Sequence, residues 1–195
     1  MKIGMIFECG PQGADKKVCE KFARQIKLDI QITSVTLDNK PNLIASCGRV
    51  AAQLIKQGCD RILIIWDLYP AWREKGQKPC RKEDRQAIQN SLTNADVTSA
   101  NVYLICIEPE LEEWFLYDLT ALSSVLSTTA HPVTIRKSPS GGTNPKKTLT
   151  KLFEENTGRK YNDLIHADII AKNISKFDKI ARKCPSFERF VQKIT

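Results

Sequence analysis

Apolar positions along this 195-residue chain repeat with two periods, and the two alternate. Residues 2–7 are almost continuously apolar and read as a strand. Glu8-Cys9-Gly10-Pro11-Gln12-Gly13 follows as a turn-rich loop. Val18, Phe22, Ala23 and Ile26 then recur at helical spacing over 14–27. Residues 29–37 read as a second strand. Pro41 opens a helix carrying Leu43, Ile44, Cys47, Val50, Ala51, Leu54 and Ile55, and Gly58 closes it. The unbroken run Arg61–Trp66 fits a strand covered on both faces and stops at Asp67. A polar loop from Leu68 to Pro79 holds Trp72, Arg73, Lys75 and Lys78. A helix over 80–95, a strand over 102–107 and a helix from Glu110 to Leu119 complete the alternation.

This order predicts an α/β fold, a Rossmann-like, mostly parallel sheet flanked by helices. The Ser/Thr/Gly-rich stretch 120–143 reads as a surface loop. Short helices are expected near 145–156, 160–175 and 186–194. Two regions follow: an α/β core over 1–131, and a basic loop and helical lobe over 132–195 packed on it.

Composition narrows the class. With 42% hydrophobic residues the chain can bury a core, which argues against disorder. No apolar run approaches the roughly 20 residues of a membrane span, so no membrane partner is expected. The N-terminus reads as the first strand, not a signal peptide. Seven cysteines, at 9, 19, 47, 59, 80, 106 and 184, contain no CxxC pair, and His131 and His166 are the two histidines. Reduced thiols in a cytoplasm fit this better than a zinc cluster or a disulfide framework.

Charge is segregated. The net charge is +8; residues 1–131 hold 16 basic and 16 acidic residues, whereas 132–195 hold 14 and 6. A one-sided positive field suits a polyanion, although a solvated basic surface gives the same count.

Ligands of parallel α/β sheets bind beyond the carboxyl ends of the strands. Three strands deliver an acid there: Glu8, Asp67 and Glu108, with Glu110, Glu112 and Glu113 close behind. Carboxylates gathered at one edge repel unless a cation joins them, and Mg²⁺ takes one or two carboxylates plus waters and phosphate oxygens. The competing reading is helix capping, since Pro109 and the glutamates suit a first helical turn. The Gly10/Gly13 loop is either a phosphate-approaching turn or a tight strand–helix connection; it is neither a Walker A motif nor GxGxxG. Downstream, Asn144 and Pro145 fit an N-cap and first helical position. Lys146 and Lys147 then stand where the helix dipole disfavours cations, with Arg136 and Lys137 upstream, so an anion partner is attractive. These four are the candidate nucleic-acid contacts, against the alternative of solvated lysines. Tyr69 and Trp72 offer base stacking or ordinary loop packing. Leu111, Trp114 and Phe115 read as core. Cys9 lacks a nearby base, and His166 reads as structural.

The three-acid pattern resembles the TOPRIM (topoisomerase–primase) arrangement, and in particular small bacterial TOPRIM-like proteins near RloB and the OLD-family nucleases. The similarity runs over nearly the whole chain. Glu8-Cys9-Gly10-Pro11 with Asp15-Lys16-Lys17-Val18 is similar to a Glu-Gly-x-Thr-Asp/Glu signature carrying an insertion. Asp67 matches the first Asp of Asp-x-Asp, and Tyr69 stands where the second would be. Glu110–Asp118 resembles a Glu-x-Trp-Leu-Leu-x-Asp segment, and Asn144-Pro145-Lys146 an Asn-Pro-Lys motif. Tyr161, His166-Ala167, Ile170-Ala171 and Cys184-Pro185-Ser186-Phe187 are similar to its C-terminal helices. The resemblance implies a Mg²⁺- or Mn²⁺-dependent nuclease of anti-phage defence. Glu8, Asp67 and Glu112 would hold metal, with Glu108 or Glu112 compensating for Tyr69. Glu8 would serve as general base, and Lys146 would neutralise phosphate. The alternative is a non-catalytic nucleic-acid-binding or effector subunit of an ATPase-partnered complex. A homodimer stays open.

Overall fold

A computed structural model describes residues 1–69, 78, 80–98, 100–137 and 144–195. Trp72, Arg73, Lys75 and the segment 138–143 lie outside the described residues. The strands are β1 (Lys2–Phe7), β2 (Gln31–Thr36), β3 (Arg61–Asp67) and β4 (Val102–Ile107). The first helices are α1 (Ala14–Ile26), α2 (Lys40–Lys56) and α3 (Arg81–Asn94). They are followed by α4 (Glu112–Leu116), α5 (Leu119–Leu126), α6 (Pro145–Thr157), α7 (Asp163–Asn173), α8 (Phe177–Ala181) and α9 (Pro185–Ile194).

The four strands form one open sheet, ordered β2-β1-β3-β4, and every pair is parallel. Phe7 lies beside Thr36 and Ile65, and Asp67 beside Ile107, so the strands end within two residues of one another. Strand alternation splits the buried residues into two layers. Ile62, Ile64 and Trp66 face α2 and α3, whereas Leu63 and Ile65 face the other way. That second layer is one continuous core from Val18 and Phe22 of α1 through Trp114 to Phe187 and Phe190 of α9. Trp114 packs at 5.0 Å from Phe187, and Phe22 at 5.7 Å, ring centre to ring centre. The helices after residue 144 thus cover one face of the sheet.

Two elements depart from the sequence reading. The helix expected over Glu110–Leu119 breaks at Tyr117–Asp118. Asp118 is buried and its Oδ1 accepts from Thr120 N (3.1 Å) and Ala121 N (3.0 Å), starting a second helix, α5. The Ser/Thr composition of 120–126 suggests a loop, but Ala121, Leu122 and Leu126 form an apolar stripe that the core buries. Helix α8, one short turn and a half, has no periodicity long enough to announce it. Among the described residues, no helix is long and apolar enough to cross a membrane.

Candidate functional site

The strand ends bring Glu8 and Asp67 together at the carboxyl edge of the sheet. Glu8 leaves β1 with its N–H donating to Ile65 O (3.3 Å), which locks its position against β3. Beyond β3, Leu68 N donates to Ile107 O (2.8 Å) and Tyr69 N to Pro109 O (3.2 Å). The chain therefore stays tied to the end of β4. Tyr69 itself is exposed.

Between β1 and α1 the chain turns through Gly10–Gly13, with Gly13 N donating to Gly10 O at 2.9 Å. A Cβ on Gly13 would lie 2.5 Å from Cys9 Sγ, so the turn closes by direct packing. This is the tight connection of the two readings. It brings Asp15, in the first turn of α1, to the same edge.

These acids crowd each other. Burial, aided by Asp15, pushes the Glu8 carboxyl up to about 8, although Lys40 and a hydrogen bond from the Asp67 backbone pull against it. Burial, then Asp15, Glu8, Glu112 and Glu110, push Asp67 well above the usual carboxylate range. Asp15 rises to about 6 and Glu112 to about 7, each chiefly through burial. Glu112 is 4% exposed, and the buried Tyr161 hydroxyl sits against its carboxyl. Glu8 Oε2 and Asp67 Oδ1 are both buried and accept no hydrogen bond among the described residues.

Positive charge reaches this group from two sides. Lys40 opens α2, is 5% exposed, and donates to Leu68 O (3.0 Å) and Asp84 Oδ2 (3.5 Å). Asp84 also accepts from Trp66 Nε1 at 3.1 Å. Lys146 opens α6 as expected, with Asn144 Oδ1 capping Lys147 N at 2.8 Å. Its Nζ donates to Asp163 Oδ2 (2.6 Å) and its backbone N–H to Glu110 Oε2 (3.3 Å). The carboxylate partners of Lys146 among the described residues are thus the protein's own.

The other candidates are placed differently. Glu108 Oε1 accepts from Arg81 Nη1 (2.8 Å) and from Arg189 Nη2. Lys147, Arg136 and Lys137 are exposed; the last two follow Val133 and Ile135, which pack on the core. The Cys9 thiol is pushed up to about 12, chiefly by burial, and is no nucleophile at neutral pH. His166 Nδ1 accepts from Asn162 N (2.8 Å) and its ring packs on Phe153, a structural role.

Asp15, Tyr161, Asp163 and Lys40 belong to the group; Asp15 and Tyr161 enter the sequence reading as members of matched motifs without an assigned role, and Asp163 and Lys40 do not enter it. Asp15 and Lys40 stand in first helical turns at the strand edge, a positional signal that applies to any residue there. Tyr161 and Asp163 reach the site only because α6 and α7 fold across it. Among the described residues, no three His, Cys, Asp or Glu side chains converge as a ready-made metal centre.

The profile of a family described as a domain of unknown function, DUF4276, matches residues 13–195. The chain belongs to this family. The match includes Asp15, Asp67, Glu112, Lys146 and Tyr161, whereas Glu8 precedes it. No curated protein and no solved structure matches the DUF4276 chain.

Proposed function

We propose that the chain is a cytoplasmic, divalent-metal-dependent nuclease with a TOPRIM-like fold, hydrolysing phosphodiester bonds of DNA or RNA in anti-phage defence. The observation that carries this reading is the pair of buried, unpartnered oxygens, Glu8 Oε2 and Asp67 Oδ1, at one strand edge. A buried acceptor left without a donor costs about 1–3 kcal/mol, and more when charged. A hard cation answers both at once. Two carboxylates with waters and substrate phosphate are a sufficient Mg²⁺ or Mn²⁺ set, so the residues present fit the ion.

Glu8 and Asp67 would hold the metal, with Glu112 adding its negative field beside them. Once bound, the ion would polarise the scissile phosphate and lower the pKa of an attacking water. The chain's own groups do the rest. Glu8 would also serve as general base, its proton displaced as the cation binds. Lys146, with its side chain about half exposed, faces developing phosphate charge, and Asp163 holds it in place.

Tyr69 favours a second reading, an effector or nucleic-acid-binding subunit working with an ATPase, because it stands where a second metal-binding Asp is expected. One experiment separates the two. Labelled DNA, RNA and tRNA are incubated with the protein in Mg²⁺, Mn²⁺ or EDTA, beside Asp67→Ala. Metal-dependent cleavage lost in the variant is the expected result. Salt-sensitive binding without cleavage in any metal supports the subunit reading instead.

A further inference from the structure

The sheet is open at β4, and the pairing pattern shows which of its backbone groups are turned outward. Ile62 N donates to Asn101 O, and Leu68 N to Ile107 O. Odd-numbered positions therefore face β3. The N–H and C=O groups of Val102, Leu104 and Cys106 point to the unpaired edge.

Along that edge run two cavities, of about 330 Å³ and about 320 Å³, which share Arg85, Leu104 and Arg189 in their walls. Each lies at the small end of the range of ligand pockets, about 300–1,000 Å³. Five cations line them. Arg81, Lys82 and Arg85 come from α3, and Arg189 and Lys193 from α9. Arg81 and Lys82 occupy the first turn of α3, where the helix dipole adds to their field. Arg189 Nη2 lies 3.4 Å from the outward Cys106 carbonyl, so its guanidinium sits at the strand edge itself. Arg81 and Arg189 both pair with Glu108; Lys82, Arg85 and Lys193 pair with no carboxylate among the described residues. Lys193 is instead held over the Tyr103 ring, 4.7 Å from its centre.

We infer that this cleft is a phosphate-binding track for a single nucleic-acid strand. Guanidiniums and outward backbone N–H groups are phosphate contacts, and the apolar Leu92, Val102 and Leu104 in the same walls suit bases or sugars. Trp66 and Cys106, next to last in β3 and β4, line the end of the cleft nearest the carboxyl edge of the sheet. Lys82, Arg85 and Lys193, repeated on both copies, oppose a second copy of β4 as the occupant. The choice of nucleic acid among anionic partners rests on the nuclease reading; the cationic cleft does not. Arg136, Lys137 and Lys147, on which the charge count of the chain focuses attention, line neither cavity.

The test is fluorescence anisotropy in EDTA, which separates binding from cleavage. The probes are fluorescein-labelled dT and U ten-mers and a labelled poly-glutamate ten-mer, titrated against the full chain and Lys82→Glu/Arg85→Glu. Both positions are exposed, and circular dichroism checks folding. The expected result is oligonucleotide binding weakened at least tenfold in the variant. The slope of log affinity against log salt should become shallower by about 1.4, from two phosphate contacts at about 0.7 each. Unchanged oligonucleotide binding in the folded variant overturns the track and leaves the nuclease reading standing. Wild-type protein that binds neither oligonucleotide also overturns it. Poly-glutamate bound as tightly as the oligonucleotides, and lost in the same variant, overturns the nucleic-acid assignment in favour of an acidic protein partner. Cleft-dependent binding with no cleavage in Mg²⁺ or Mn²⁺ supports the track and removes the nuclease.

Discussion

At the scale of single residues, the carboxyls of Glu8, Glu112 and Asp15 retain protons that an unfolded chain would release. Their levels of about 8, 7 and 6 lie above the ordinary 4.5, 4.5 and 3.8. The sign of the linkage follows directly. Between the unfolded and folded values the native state binds more protons, so stability falls as pH rises. In EDTA the melting temperature should therefore drop steadily from about pH 5 to pH 8, followed by thermal denaturation. Glu8→Gln, neutral throughout, should flatten the upper part of that drop. Mg²⁺ or Mn²⁺ should reverse it by stabilising the charged forms, and should release protons on binding, which calorimetry in buffers of different ionisation heat would register. A melting curve insensitive to both pH and metal would contradict the crowded-carboxylate account.

At the scale of elements, α2 and α3 meet closely at Gly48. A Cβ on Gly48 would lie 2.0 Å from the Ser91 carbonyl oxygen. Even Gly48→Ala must push these helices apart, at about 1–3 kcal/mol, and chemical denaturation should show a lower midpoint. The start of α5 depends on one side chain. Asp118→Ala removes the acceptor of two backbone N–H groups and should cost about 1 kcal/mol by the same measurement. Most element boundaries were legible from periodicity and punctuation, because Pro41, Gly58, Asn144 and Pro145 act through local backbone geometry. The break at Asp118 was not, because an acid between two apolar stretches reads equally as an exposed helical position. Only the burial of Ala121, Leu122 and Leu126 decides it.

At the scale of the whole molecule, the face of the sheet formed by Leu63 and Ile65 has its cover in the C-terminal helices. Trp114 illustrates the dependence, with Phe187 and Phe190 against its ring and Ser186 Oγ 2.9 Å from its Nε1. A fragment ending at residue 131 would expose that layer to water, and should appear as an aggregate or a molten state in size-exclusion chromatography and near-ultraviolet circular dichroism. The lysines and arginines after residue 131 accordingly sit on helices and connections that pack on the main core. Their field is partly answered within the fold, as by Asp163 on Lys146 and Asp168 on Lys172.

The sequence by itself determined the alternation of strands and helices, the parallel sheet, and the acids at its carboxyl edge. These follow from period and position, which are local properties. It also determined the capped start of α6, because Asn144 and Pro145 act within one turn. Tertiary structure alone decided which acids meet. Glu8, Asp15, Asp67, Glu110 and Glu112 share one field, whereas Glu108 is held by Arg81 and Arg189, although each is an acid at the same sheet edge. It alone brought in Tyr161, between α6 and α7, and Asp163, which opens α7, and aligned Arg85 of α3 with Arg189 of α9 along the open strand. Burial and the juxtaposition of distant segments set these pairings, and neither is a function of spacing along the chain.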